Sequence, residues 1–529
     1  MKPVNGYVQP LLTDFYQLTM AYAYHHSGKQ DDHAVFDLFF RKNPFGGEFT
    51  IFGGLTEVLR FVDNFKFSDD DINYVSSVIP RCSDNFKNWL ANIDCTKVKI
   101  YSVKEGNVIF PYVPMMRIEG PLGVCQLLET PFLNLTSYSS LITTNAARMR
   151  LAAGDDKTLV EFGLRRAQGP DGAVSAARYS FIGGFDGTSN VMAGRLFDIP
   201  LSGTQAHSYI SSFSGLNELK NKTLKNKKNG RKQNFVERAL HYRSELQFED
   251  TKEGELAAFI TYAQAFPDDL LALVDTYNTL KSGVPNFVSV ALALNELGYT
   301  AVGIRLDSGD LAHLSKETRK LFQKISQQFQ VNFQKLKIVA SNELNEQTLL
   351  SLNQQGHEID IFGVGTNLVT CQSQPALGCV YKLAEVNNQP RIKLSQDSGK
   401  ITIPGKKNAF RLYGREGYPL VDLMMLTDED APKEGRRILC CHPYDETRRT
   451  YVTPTAVQPL YSNVWDGKIA EEQPDLREIQ KYVKGQLKKM RDDHLRNLNP
   501  TPYKISVSEK LNNFMQQLLK KEASVGEIA

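Results

Sequence analysis

Arg305, Asp307, Ser308 and Asp310 follow directly on an apolar run that contains Ala301, Val302 and Ile304. An unpaired charge is costly inside a covered sheet, so charges that close such a run belong at its open mouth. A guanidinium placed there can grip a carboxylate or phosphate with two parallel donors, and a carboxylate can hold a hydroxyl or a hard cation. The same grammar recurs along the middle of the chain. Segment 158–165 ends in Arg165 with Arg166 behind it, segment 270–275 ends in Asp275, and segment 337–342 ends in Asn342. Segment 359–366 ends in Gly363, Gly365 and Thr366. Glycines there let backbone N–H groups approach an anion closely, which predicts a phosphate cradle.

Helical stretches at 289–297, 317–329 and 345–354 separate these runs. Alternating strand and helix predicts parallel strands with helices outside. In barrels of that kind the chemistry gathers at the carboxyl ends of the strands, and the last loops often hold phosphate.

A chain of 529 residues exceeds what one hydrophobic core usually organises, so two or more domains are expected. Hydrophobic residues at 41% and charged residues at 23% describe an ordinary globular protein. A net charge of +3 is too weak a bias to suggest a nucleic-acid partner, and none is expected. The first ten residues lack the basic flank and apolar core of a secretory signal, and no apolar stretch reaches the roughly 18 residues of a membrane span. The seven cysteines are odd in number and include no Cys-x-x-Cys spacing, so neither a disulfide framework nor a zinc ribbon is indicated. A reducing cytosol is the expected location.

The chain divides by texture. Residues 1–150 mix helix and strand signals: Thr13 is placed to cap a helix, and segments 98–103 and 105–110 alternate like strands. Residues 151–370 hold the strand-end sites. Residues 371–529 carry strand-like segments at 378–383 and 391–394 and helical patterns at 475–498 and 508–521, and are expected to complete the first part. Segment 217–233 holds seven lysines and arginines and almost no apolar residue, and reads as a solvated, structureless loop.

Several of these stretches together resemble the nicotinate phosphoribosyltransferase family. They are Pro10 to Gln17 with Tyr16, the Phe45-Gly-Gly turn, Glu161-Phe-Gly-Leu-Arg-Arg-Ala-Gln-Gly, Gly203-Thr-Gln-Ala-His, Ile304-Arg-Leu-Asp-Ser-Gly-Asp and Phe362-Gly-Val-Gly-Thr. The resemblance runs nearly colinearly from residue 10 to about 420. It implies an α/β fold in which an incomplete (β/α) barrel, 151–370, stands with a second mixed α/β domain built from N-terminal and C-terminal segments. It also implies a homodimer with shared active sites, nicotinate and 5-phosphoribosyl 1-diphosphate as substrates, Mg²⁺ as cofactor, and ATP as a co-substrate coupled through a phosphorylated histidine.

Residue by residue, the resemblance makes Arg305 and Arg165 the anion-binding arginines, with Arg305 meeting the nicotinate carboxylate or a nearby phosphate. Asp275 and Asp307 would hold ribose hydroxyls or a magnesium shell, with Asp307 the candidate metal ligand; helix N-capping is the ordinary alternative, and Ser308 and Asp310 suit it better. His207 is the family's phosphorylatable histidine and Thr204 a nicotinate contact. Tyr16 would stack on the pyridine ring from the neighbouring subunit, with Phe162 on the opposite face and core packing the alternative for both. Ser189 stands where the similar nicotinamide-using enzyme has an aspartate, whose charge would repel the carboxylate of nicotinate.

Overall fold

The structure, a computed structural model, describes residues 4–395 and 400–523. The chain forms two compact units: Met1–Ala147 with Ser373–Ala529, and Arg148–Gln372.

The central unit is built on six short strands: β1 (Thr158–Glu161), β2 (Gly187–Thr188), β3 (Leu271–Leu273), β4 (Gly303–Leu306), β5 (Lys337–Ser341) and β6 (Ile361–Val364). They lie in the order β3-β4-β5-β6-β1-β2, every neighbouring pair parallel. The two ends, β3 and β2, are not hydrogen-bonded, so the barrel is incomplete. Leu159, Val160, Ala272, Leu273, Ile304, Leu306, Ile338, Val339, Ala340, Phe362 and Val364 are buried along these strands. Near-continuous apolar burial is what helix-covered parallel strands require.

Helices fill the connections, among them α1 (Gly169–Ile182), α2 (Glu253–Ala265), α3 (Val284–Glu296), α4 (Leu311–Phe329) and α5 (Glu346–Gln355). In α3, every residue from Val284 to Leu294 is buried, the polar Asn286 and Ser289 included, as befits a mostly apolar helix covered on all sides. α4 is amphipathic, burying Leu311, Ser315, Thr318, Phe322 and Ile325 on one stripe. Asp310 starts it, its side chain accepting from His313 N at 2.9 Å, a cap worth about 1 kcal/mol. Because Asp310 caps the helix that follows β4, α4 begins immediately after the strand-end charges.

The other unit has two six-stranded sheets. In the first, His33–Phe40 pairs antiparallel with Cys379–Val386 on one side and Met116–Pro121 on the other, and Lys99–Ser102 pairs with Ser462–Asp466. Chain from both termini therefore completes one mixed α/β unit. In the second sheet, Arg411 and Asp422 face each other across two antiparallel strands, both buried, with two N–H···O contacts of 2.8 Å. Tyr503 donates its hydroxyl to the same carboxylate at 3.0 Å. Such a pair is costly to break because either partner alone would be an uncompensated buried charge.

Three expectations fail here. The helix Phe15–His26 is preceded by Asp14 rather than capped by Thr13, whose hydroxyl is buried without a partner. Segment 391–394 is not a strand: the paired stretch is Gln389–Pro390, Arg391 N adds a bond to Ala384 O at 2.8 Å, and Lys393 N turns instead to the Thr402 hydroxyl at 3.1 Å. Segment 217–233 is not structureless. Thr223–Lys225 and Lys232–Asn234 form an antiparallel hairpin. It is fastened by Lys227 N to Leu297 O (2.8 Å), Tyr299 OH to Lys225 O (3.0 Å), Gln264 Nε2 to Thr223 O (3.2 Å) and a Lys227–Asp268 ion pair of 2.6 Å.

Candidate active site

The carboxyl ends of β3 and β4, with the loop before His207, converge in the central unit. Arg305 is the third residue of β4 and Asp307 the first beyond it. Arg305 donates from Nη1 to Thr204 Oγ1 at 2.6 Å, and its Nη2 lies 3.6 Å from Asp307 Oδ2. Its Nε is buried without a hydrogen-bond partner. The guanidinium is thus pinned at one end and holds an unused donor, the state expected of a fork prepared for an anion.

His207 opens a short helix, His207–Ser211. Its Nδ1 lies 3.1 Å from Thr276 Oγ1, and its exposed Nε2 lies 3.6 Å from the same Asp307 Oδ2. Asp307 therefore stands between the arginine and the histidine. Its other oxygen accepts from Ser341 Oγ, at the end of β5, at 2.5 Å. Asp275 closes β3 and ties the strand ends together, accepting from Asp307 N at 3.0 Å and Ser308 Oγ at 2.5 Å. It is not a helix cap. Its Oδ1 is buried and unpartnered, an acceptor open to a hydroxyl or hard cation.

On the β1 side, Phe162 is half-buried and its ring lies 6.0 Å from the Arg305 guanidinium carbon. The glycine at 363 has a packing reason: a Cβ there would stand 2.4 Å from that ring. Gly365 precedes the short helix Thr366–Thr370, and Thr366 is exposed. Arg165 and Arg166 are solvent-exposed on the turn Leu164–Arg166.

Glu161, the last residue of β1, accepts from Gly163 N and, at 2.5 Å, from Thr188 Oγ1. Ser189 N donates back to Glu161 O at 2.9 Å. Burial pushes the Glu161 carboxyl above the usual range, opposed by the two hydrogen bonds. The carboxyl thereby joins the Arg165 turn to the strand end that carries Ser189.

Arg305, Thr204, His207, Asp307 and Asp275 are thus linked by contacts of 2.6 to 3.6 Å within one unit, with the Phe162 ring 6.0 Å from the guanidinium carbon and Gly363 beside that ring. Tyr16 belongs to the other unit, on the helix Phe15–His26, where its exposed ring donates from the hydroxyl to Glu129 Oε1 at 3.1 Å. Sequence reasoning missed Thr276, Ser341 and Glu161 as supports. No cluster of three or more His, Cys, Asp or Glu suited to a metal occurs among the described residues. The carboxylates of Asp275 and Asp307 are the donors present at the site, a pair that would suit a cation taking one or two carboxylates and filling its remaining positions from substrate phosphate and water.

An open parallel α/β sheet with an arginine, a histidine and two aspartates at its strand ends defines a barrel-derived enzyme architecture with an anion-handling site. Sequence profiles described as the nicotinate phosphoribosyltransferase family, its N-terminal domain and its C-terminal domain match residues 158–419, 11–137 and 406–515. The nicotinate phosphoribosyltransferase of Dictyostelium discoideum is 54% identical, covering 98% of this chain and 89% of its own. That of Homo sapiens is 44% identical over 96% of each chain. The crystal structure of human nicotinic acid phosphoribosyltransferase covers 97% of this chain and 100% of its own with a TM-score of 0.87 and 41% identity. The Pyrococcus furiosus nicotinate-nucleotide pyrophosphorylase shares the fold alone: 21% identity, TM-score 0.61, over 91% of this chain and 95% of its own. The chain belongs to the nicotinate phosphoribosyltransferase family and is an enzyme.

Proposed function

We propose that this chain joins nicotinate to 5-phosphoribosyl 1-diphosphate, giving nicotinate mononucleotide and pyrophosphate and so feeding NAD synthesis. The observation that carries the reading is the linked set Thr204–Arg305–Asp307–His207 at the carboxyl ends of the sheet. The pyridine nitrogen already has a free lone pair, so no base is needed. The C–N bond to the ribose forms as the C–O bond to pyrophosphate breaks, and the site must steady an electron-poor sugar and a departing anion. Arg305, with its unused Nε, binds the nicotinate carboxylate or a neighbouring phosphate, and Arg165 shares the anion. Asp275 and Asp307 orient the ribose. Asp307 is the protein ligand proposed for Mg²⁺, which when bound neutralises the diphosphate.

Gly363, Gly365 and Thr366 form the proposed phosphate side, and Phe162 one face of the ring site. Tyr16, from a second copy in a homodimer, supplies the opposite face. Its exposure on the surface of its own unit supports that role. His207 takes the γ-phosphoryl group of ATP on Nε2, releasing ADP, and later yields it to water. The Nδ1 contact with Thr276 leaves Nε2 as the available nitrogen. Ser189 admits the substrate acid where an aspartate would repel it. The reading places the enzyme in the cytosol; no helix among the described residues is long and apolar enough to cross a membrane.

The test compares nicotinate, nicotinamide and quinolinate as acceptors with purified protein, 5-phosphoribosyl 1-diphosphate and Mg²⁺. Nicotinate is expected to give the highest kcat/KM. A preference for nicotinamide or quinolinate would overturn the assignment.

A further inference from the structure

Behind the strand ends lies a buried polar cluster that the reaction as described does not use. Glu255, on α2, is fully buried. Its Oε2 accepts from Ser282 Oγ at 2.5 Å and from Asn286 Nδ2 at 3.0 Å. Ser282 Oγ in turn accepts from Lys252 N at 2.9 Å, and Asn286 Nδ2 also donates to Lys252 O at 3.0 Å. One carboxyl therefore ties α2 to the start of α3.

What it ties down is a turn of unusual shape. In Thr279–Gly283, Gly283 N reaches back five residues to Asn278 O at 3.0 Å, the mark of a π turn, and Asn278 caps it by accepting from Lys281 N at 2.9 Å. The turn presses directly on β3. A Cβ at Gly283 would stand 1.8 Å from Val274 O, so only glycine permits the approach. Val274 is the residue before Asp275, whose Oδ2 receives Asp307 N and Ser308 Oγ. A continuous path of bonds and backbone contact thus runs from Glu255 through Ser282 and Gly283 to Val274 and the two site aspartates.

We propose that Glu255 is a positioning residue: it locks the π turn against the end of β3 and so fixes where Asp275, and through it Asp307, stands. Three buried acceptor atoms, Glu255 Oε1, Asn286 Oδ1 and Asp275 Oδ1, have no partner. A proton on Glu255 Oε1 would make that atom a donor rather than an unpaired buried acceptor, and buried acceptors are seldom left unpaired. Burial chiefly, and the negative charge of Asp275 in addition, favour that neutral form against the pull of the Ser282 and Asn286 hydrogen bonds. Glutamine is therefore the conservative replacement and leucine the disruptive one.

The kinetic arm of the test rests on the phosphoribosyl-transfer reading; the second arm does not. Glu255→Leu, Glu255→Gln and Ser282→Ala are compared with wild type by pyrophosphate release per folded molecule and by hydrogen exchange of the Asp307 amide, which reports directly on its bond to Asp275. Glu255→Leu and Ser282→Ala are expected to lower kcat by up to about 100-fold, as a misplaced site group does, with the nicotinate KM little changed and Asp307 exchange faster. Glu255→Gln is expected to recover most of both. Should Glu255→Leu fail to fold, the Ser282→Ala and Glu255→Gln pair decides. Wild-type kcat and exchange in Ser282→Ala overturn the lock, as does a Glu255→Gln protein whose Asp307 amide exchanges as fast as that of Ser282→Ala. Absence of nicotinate turnover in wild type, with the exchange order as expected, overturns the proposed activity and leaves the lock standing.

Discussion

Thr204 and Arg305, a hundred and one positions apart in the chain, are joined by a 2.6 Å hydrogen bond that binds the loop before His207 to the end of β4. The bond fixes one arm of the guanidinium and leaves Nε unpaired. Arg305→Ala is expected to lower kcat/KM for nicotinate by about 2–5 kcal/mol of transition-state stabilisation, the usual cost of truncating a hydrogen-bonded charge. Thr204→Val keeps the charge and removes its tether, for a smaller loss of about 1.5–3 kcal/mol. Steady-state kinetics on both variants checks the order. A Thr204→Val enzyme as fast as wild type would show that the tether does not orient the arginine.

His207 meets Thr276 through Nδ1 and faces Asp307 through Nε2. His207→Ala is expected to abolish the stimulation of turnover by ATP while leaving ATP-independent phosphoribosyl transfer measurable. The ratio of ADP to pyrophosphate released reads this directly. A ratio that survives the substitution excludes a phosphohistidine at this position.

Glu161 gives a pH dependence whose sign can be worked out. Its folded-state pKa is raised, chiefly by burial. The folded protein therefore binds the proton more tightly than the unfolded chain, and the stability gained is present at acid pH and lost as pH rises through the folded value. Glu161→Gln does not titrate. The thermal midpoint of wild type is thus expected to fall relative to Glu161→Gln across the range that starts at the unfolded carboxyl's ordinary value of about 4.3 and runs upward toward neutrality. A constant difference across that range would mean that Glu161 is equally ionised in both states.

Gly363 and Phe162 are coupled by space rather than by chemistry. A methyl group at 363 would overlap the ring, so Gly363→Ala is expected to destabilise the protein by about 1–3 kcal/mol, typical of overpacking. In a Phe162→Ala background the same substitution should cost much less. Denaturant unfolding of the four proteins gives the coupling energy, and additive effects would show that the ring is not what excludes the methyl.

The strand ends were legible in sequence because Asp275, Arg305 and Asp307 each follow an apolar run, and an unpaired charge is tolerated only where such a run reaches its mouth. The central helices were legible for the same reason, although α3 and α4 begin earlier than the apolar spacing alone suggests, at Val284 and Leu311. Glu161 was not legible as a support. It lies inside its run, and its partners are a backbone N–H in a tight turn and a threonine 27 residues away. Glu255 is hidden in the same way, since nothing in a helical pattern marks a carboxyl that meets Ser282 and Asn286 from another element. The lysine-rich hairpin lacks apolar alternation because its order comes from outside it, from Gln264, Asp268, Leu297 and Tyr299. Gly363 read as room for a ligand, and the reason the structure adds for its missing Cβ, the Phe162 ring, comes from another strand end and left no mark in the sequence.

The sheet that pairs His33–Phe40 with Cys379–Val386 also sets a timetable for the ribosome. The early strand emerges with one of its edges bare and waits for a partner encoded beyond the whole central unit. At synthesis rates of ~5–20 residues per second that wait lasts tens of seconds, ample time for the central unit, contiguous in the chain, to fold first. The nascent protein must therefore be shielded at an unpaired apolar edge, and slowed translation or a shortage of chaperones should cost this enzyme yield before it costs activity per molecule.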